Sequence, residues 1–269
     1  MGRQFIIYLN TGVATPSLHG MSLLTAALLS LLMIGTALLS GVFGMAGGLI
    51  LIGVLLTIFQ VPAAMVLHAV TQMASNGWRA LLWWRHIGWK SMAFYVAGCL
   101  LAVGLWSLTL YVPDKALALL LLGCSPFIVR AIPESILPRT FGPAQVAGTG
   151  FFSMTLMLLT GVTGPLLDTM FLRSPLERKQ IIATKAACQV FGHGFKLFYF
   201  GALIEQQSGE VEPWFLAVAV LSSMIGTSLG RLLLDRLSDG QFRTWSHRLI
   251  TALGTYYVGY GLVLLAGVS

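Results

Sequence analysis

Polar and apolar positions along this chain segregate into long hydrophobic runs joined by short polar connections. The first run continues from Met21 to Phe59, 39 residues. One helix crosses the hydrocarbon of a bilayer in about 20 residues, so a run of that length must hold more than one element. Its natural break is the glycine cluster Gly44-Met45-Ala46-Gly47-Gly48. The pattern therefore predicts a first span over 21–43 and a short second span over 48–60. A third, more polar span follows from Pro62 to Trp84, a fourth over 91–111, and a fifth over 115–132 in which Pro126 predicts a kink.

A Pro-rich connection, Pro133 to Pro143, precedes a second series. Its first span covers 145–160 and is broken by Gly161-Val162-Thr163-Gly164-Pro165. Four more follow at 164–172, 180–203, 213–234 and 249–267. The expected fold class is an all-α polytopic membrane protein of about ten membrane segments in two five-helix repeats, 21–132 and 145–269. A loop at 133–144 joins them, and a partly apolar extension at 1–20, with no compact cleavage signal, precedes them. The second and seventh spans are short for a full crossing, and the pattern leaves open whether they cross or are half-helices.

Composition changes this picture by excluding its rivals. The chain is 57% hydrophobic and 9% charged, against about 25% charged in soluble domains. So much apolar surface needs lipid as its solvent. The 16 Lys and Arg residues lie between hydrophobic runs without a dense tract, which reads as topology rather than nucleic-acid binding. With Arg85 and Lys90 cytoplasmic and the spans alternating, Arg130, Arg139, Arg173, Arg178, Lys179, Arg231, Arg236, Arg243 and Arg248 are inside too. Only Arg3 and Lys115 fall outside; Arg79, Lys185 and Lys196 lie within spans. Both termini are then extracytoplasmic, in a bacterial inner membrane. Because each repeat has an odd number of spans, the second enters from the opposite face and is inverted.

The two series also align without a gap at an offset of 117 residues. Gly44, Gly47, Leu49, Leu55, Ala69, Gln72 and Gly77 recur as Gly161, Gly164, Leu166, Leu172, Ala186, Gln189 and Gly194. His68 aligns with Lys185 and Arg79 with Lys196, so both cation-capable positions keep that character.

These positions carry the candidate chemistry. In the third span His68, Gln72, Asn76 (or Ser75) and Arg79 are spaced by four, four and three residues, along one helical face. Lys185, Gln189, His193 and Lys196 repeat that spacing in the eighth. Ionisable groups in mid-span usually face a bundle interior or a water-filled cavity, and a cation on each of two facing helices suits an anion. The competing assignment has Arg79 and Lys196 snorkelling or bonding to carbonyls. The breaks at Gly44, Gly47, Gly48 and at Gly161, Thr163, Gly164 offer helix N-termini to an anion, with Thr163 as a cap and Pro165 in the first turn. Alternatively these glycines only permit close packing. Asp168 is the acid within a short span; it either pairs with Lys185 or Lys196 or carries a proton during transport.

No catalytic set, phosphate loop or metal-ligand spacing is present, and Cys99, Cys124 and Cys188 stand singly in apolar runs. An enzyme and a cofactor are not expected.

Taken together, the first glycine break with Pro62 and Arg85–Lys90 after it, and the second break followed by Ala183-Thr184, resemble the sulfite exporter TauE/SafE family (TSUP). The resemblance covers most of the chain from about residue 25. It implies export or uptake of sulfite, of sulfonates such as sulfoacetate or sulfolactate, or of related organic anions. This chain departs from the family pattern in the fewer glycines of its first break and in Asp168 after its second. The expected function is alternating-access transport of a small anion, with lipid as surroundings, no nucleic acid, and protons or another coupling ion and a second copy of the chain as further partners the pattern allows. A membrane scaffold whose buried charges hold partner helices, and a metal-ion permease using Met and His, are the alternatives.

Overall fold

A computed structural model describes residues 22–43, 46–133, 142–172, 174, 176–206, 213–234 and 239–267. Gly44, Arg3, Arg139, Arg173, Arg236 and the extension at 1–20 lie outside the described residues. Among the described residues ten α-helices follow in order: α1 Leu23–Phe43, α2 Ala46–Ile58, α3 Val61–Leu82, α4 Trp89–Ser107, α5 Lys115–Ala131, α6 Pro143–Thr160, α7 Gly164–Leu172, α8 Arg178–Gln206, α9 Pro213–Leu234 and α10 Asp239–Leu265. A 3-10 turn, Trp84–His86, links α3 to α4.

Local chemistry sets the helix ends. Pro62 sits in the first turn of α3, where its missing N–H costs nothing. Asp114 caps α5 by accepting the Leu117 N–H at 2.8 Å. Gly161 ends α6 in the left-handed region, φ 84°, its N–H donating to the Met157 carbonyl at 2.8 Å. An added Cβ there would lie 2.8 Å from Ile52 Cγ1 and 3.0 Å from Met65 Sδ, so conformation and space both require glycine.

The fifth span carries Pro126 inside a single helix; proline orphans the carbonyl four residues back, Leu122, and the Ser125 hydroxyl donates to it at 2.9 Å. One boundary needs correction. The tenth helix begins at Asp239, ten residues before the expected start. Hydropathy marks where lipid or core covers the chain, while helical hydrogen bonding continues into the polar stretch before it.

The helices pack chiefly as the pairs α1–α9, α3–α8, α4–α6 and α5–α10. Glycines set the closest approaches. In α4–α6, a Cβ on Gly98 would strike the Ala147 carbonyl and one on Gly150 the Tyr95 carbonyl, so backbone meets backbone. Both α3–α8 and α5–α10 are antiparallel. In the first, His68 meets Lys196, Met73 lies at Gly194, Gly77 at Val190, and the Gly88 N–H donates to Thr184. In the second, Gly261 meets Leu120 while Arg130 bonds Thr251.

The fully buried core centres on Leu49, Ile52, Leu55 and Leu56 of α2 with Met65 and Leu67 of α3. Outward faces stay greasy, as Leu23, Leu31, Leu81, Leu108 and Phe198 show. Leu23–Gly41, Trp89–Ser107 and His247–Leu265 are each long and apolar enough to cross a membrane.

Candidate functional site

The α3–α8 seam carries nearly all the polar side chains predicted for the site, but it divides them. His68 and Lys196, both without exposed surface, meet with Nδ1 and Nζ 2.7 Å apart. The other ring nitrogen, Nε2, lies 3.1 Å from the Gly48 carbonyl, and Lys196 Nζ donates to the Gly161 carbonyl at 3.0 Å. A carbonyl only accepts, so Nε2 must carry the imidazole proton and Nδ1 must accept from the lysine. The result is one chain of hydrogen bonds, Gly48–His68–Lys196–Gly161, that ties the first glycine break to the second. His193 stands edge-on to His68, ring centroids 5.4 Å apart, with its own Nδ1 buried and unpartnered.

Arg79 lies eleven residues along α3 from His68, roughly 16 Å away along the axis. It is half-buried, and its guanidinium donates to the Ser40 carbonyl at 3.3 Å and reaches the Asn76 amide oxygen at 3.5 Å. Asn76 in turn donates to the Gln72 carbonyl at 2.9 Å, and the Gln72 amide rests against Gly48. So the polar face of α3 packs on the end of α1 and the start of α2. Ser40 belongs to the last turn of α1 and Gly161 caps α6. Arg79 and Lys196, aligned in the sequence, therefore both donate to carbonyls at the C-terminus of the helix before a break, where cations are favoured.

Lys185 is elsewhere. It forms an ion pair with Asp168 of α7, the lysine 19% and the carboxylate 38% exposed. The antiparallel register sets it at the Arg79 end of the seam, away from Lys196. Gln189 is half-buried on the same helix, and its side chain hydrogen-bonds to nothing among the described residues. The eight residues expected to bind one anion are thus spread along the seam, His68, His193 and Lys196 at one end, Arg79 and Lys185 toward the other, and Gln72 and Asn76 between.

The breaks are also more specific than expected. Gly47 is a packing residue: a Cβ there would collide with the Thr36 carbonyl and with Ser40. Gly48 is the carbonyl acceptor of His68. Gly164 is buried at the first residue of α7. Thr163 does not cap with its side chain as expected. Its backbone carbonyl accepts the N–H groups of Leu166 and Leu167, each at 3.1 Å, while its hydroxyl is buried without a partner. Backbone geometry closes that turn first, and the hydroxyl is left facing the packed interior.

Sequence reasoning missed Ser40, whose hydroxyl is buried and unpartnered beside Gly47. It also missed Thr227 of α9, which shares a 2.7 Å hydrogen bond with Ser75, and Tyr257 of α10, bonded to the Leu49 carbonyl at 3.0 Å. Hydroxyls at the end of an apolar helix were the available signal. Among the described residues no three His, Cys, Asp or Glu side chains cluster as a metal site would need.

Comparison with known proteins returned one finding. The family described as Sulfite exporter TauE/SafE matches residues 21–257. No curated protein and no solved structure matches the chain significantly.

Proposed function

The chain belongs to the Sulfite exporter TauE/SafE family, a family of membrane transporters, and we propose that it carries a small sulfur-containing anion, sulfite or a short sulfonate such as sulfoacetate, by alternating access. The observation that carries this reading is the antiparallel register of α3 and α8, which places two cations, Arg79 and Lys185, toward the same end of the seam. Like charges on facing helices repel unless an anion joins them. Here each has turned to a separate acceptor, the Ser40 carbonyl and Asp168.

An inverted repeat is part of the proposal, and the helix contacts support it. Exchanging α1–α5 with α6–α10 turns α1–α9 into α6–α4, α3–α9 into α8–α4, and α2–α10 into α7–α5, all of them contacts the molecule makes. The pairs that exchange into themselves, α3–α8 and α5–α10, are antiparallel, as a two-fold axis in the membrane plane requires. On this reading Arg85 and Lys90 lie at the cytoplasmic face of a bacterial inner membrane. The Arg79–Lys185 end then takes the anion from the cytoplasm, and the buried His68–Lys196 link is the closed end.

Asp168 fits a coupling role. An anion that takes Lys185 displaces its carboxylate, which then binds a proton. A metal permease fits less well, because Lys196 already donates to the Nδ1 lone pair of His68 that a metal would need. The decisive measurement is flux into liposomes holding the purified chain. Sulfite or sulfoacetate should move, and at low anion concentration both should move more slowly with Arg79→Ala; a protein silent toward both anions would favour the scaffold.

A further inference from the structure

Another feature lies on exposed apolar faces of the same helices, at Leu81, Trp84, Trp89 and Phe191. A groove of about 390 Å³ runs between the end of α3, the 3-10 turn, the start of α4 and the middle of α8. Gly77, Ala80, Trp84, Trp89, Val190 and Phe191 are among the residues that line it. Apart from the two indole N–H groups this lining is apolar. Gly77 gives the groove its depth, since a Cβ there would find only Val190, at 3.8 Å.

The rim is of opposite character. Arg85 lies with its guanidinium carbon 5.7 Å from the Trp84 ring centre, and the Lys179 amino group lies 5.8 Å from that of Trp83. Lys90 adjoins Trp89. All three cations are exposed, and among the described residues none is ion-paired. The tryptophans mark the depth: Trp84 and Trp89 are each 55% exposed, as ring systems at a membrane–water boundary are.

An apolar slot with Arg85 beside the ring of its lining residue Trp84, Lys90 next in the chain to its lining residue Trp89, and Lys179 beside Trp83 suits one kind of molecule. We propose that the groove binds an anionic phospholipid, one acyl chain along Gly77 and Val190 and the phosphate between Arg85, Lys90 and Lys179. A zwitterionic lipid fills the slot equally well but presents its own positive group to those cations, so the charge of the rim selects the headgroup. This inference is independent of which anion the protein transports.

The test uses the full chain purified in detergent, its thermal midpoint and its retained lipid followed by native mass spectrometry. Phosphatidylglycerol should raise the midpoint by several degrees more than phosphatidylcholine with the same acyl chains, and should stay bound. The triple variant R85Q/K90Q/K179Q, altered only at exposed positions, should respond to both lipids alike. Gly77→Leu, which fills the groove, should retain neither. Equal stabilisation of the unaltered chain by the two lipids would overturn the proposal, as would a headgroup preference that survives the triple variant. So would an equal shift from inorganic phosphate alone, or a dimer that Gly77→Leu dissociates, which would assign the groove to a second copy.

Discussion

At one end of the α3–α8 seam a lysine amino group meets a neutral imidazole, both without exposed surface and both held by carbonyls of the two glycine breaks. At the other end stand the residues that align with them, Lys185 for His68 and Arg79 for Lys196. There both partners are cations, both are partly exposed, and each has found a different acceptor. One substitution of type, imidazole for amine, separates a contact that closes from a contact that cannot. The lesson is that repeated sequence need not build repeated chemistry. On the proposed repeat, equivalent positions carry different charge, and that charge would decide whether the helices lock or leave a place for an anion.

Breaking the closed end should have the largest effect. Lys196→Met keeps the length of the side chain but leaves the Gly161 carbonyl and His68 Nδ1 buried without a donor. Each orphaned group costs about 1–3 kcal/mol. We expect a large fall in the thermal midpoint, sulfite flux below detection in liposomes, and partial recovery of neither with Lys196→Gln. Flux at the unaltered rate in Lys196→Met would remove the closed end from the transport cycle.

The open end should respond in a different variable. Arg79→Ala and Lys185→Ala each take one cation from a half-exposed place, so stability changes little. Each should raise the KM for sulfite about tenfold, equivalent to about 1.4 kcal/mol of binding, and the double variant should bind no anion. If KM is unchanged while the midpoint falls, these cations only cap helix ends and the two ends of the seam do not differ in function.

Much of this architecture was legible in the chain. The seventh and ninth spans were expected at 164–172 and 213–234, and the helices are Gly164–Leu172 and Pro213–Leu234. Glycine breaks inside apolar runs leave few alternatives, because lipid forces unbroken helix on either side of them. The site was legible only as two helical faces. Periodicity says which residues share a face; it does not say that α3 and α8 run antiparallel in a register that sets His68 against Lys196. Nor does it reveal main-chain partners. The carbonyls of Ser40, Gly48 and Gly161 carry no side-chain signal, yet they hold three of the predicted residues in place.

An effect smaller than that of Lys196→Met should come from the joint itself. Gly161→Ala must adopt φ near 84° and push against Ile52 and Met65, at a cost of about 1–3 kcal/mol. The carbonyl that anchors Lys196 would shift with it, so flux should fall along with stability. Gly201→Ala in α8, where a Cβ meets nothing within 4 Å, is the control, expected to leave both unchanged or slightly raise the midpoint. Equal behaviour of the two variants would mean that the break tolerates movement and that the seam is not anchored there.

The smallest change in stability, and the finest probe of the comparison, is Asp168→Asn. The carboxylate is 38% exposed, so solvent screens its pair with Lys185, and removing the charge should cost well under about 1 kcal/mol. Its effect on binding has a sign that distinguishes the roles of the two ends. If Asp168 occupies Lys185 when the anion is absent, neutralising it frees the cation, and the KM for sulfite should fall about twofold. The proton that accompanies the anion would lose its carrier, so an imposed pH gradient should no longer drive accumulation. Higher KM with gradient-driven uptake intact would instead make Asp168 a brace that orients Lys185, and the anion site would then be built from a cation and its counter-ion together rather than from cations competing for one.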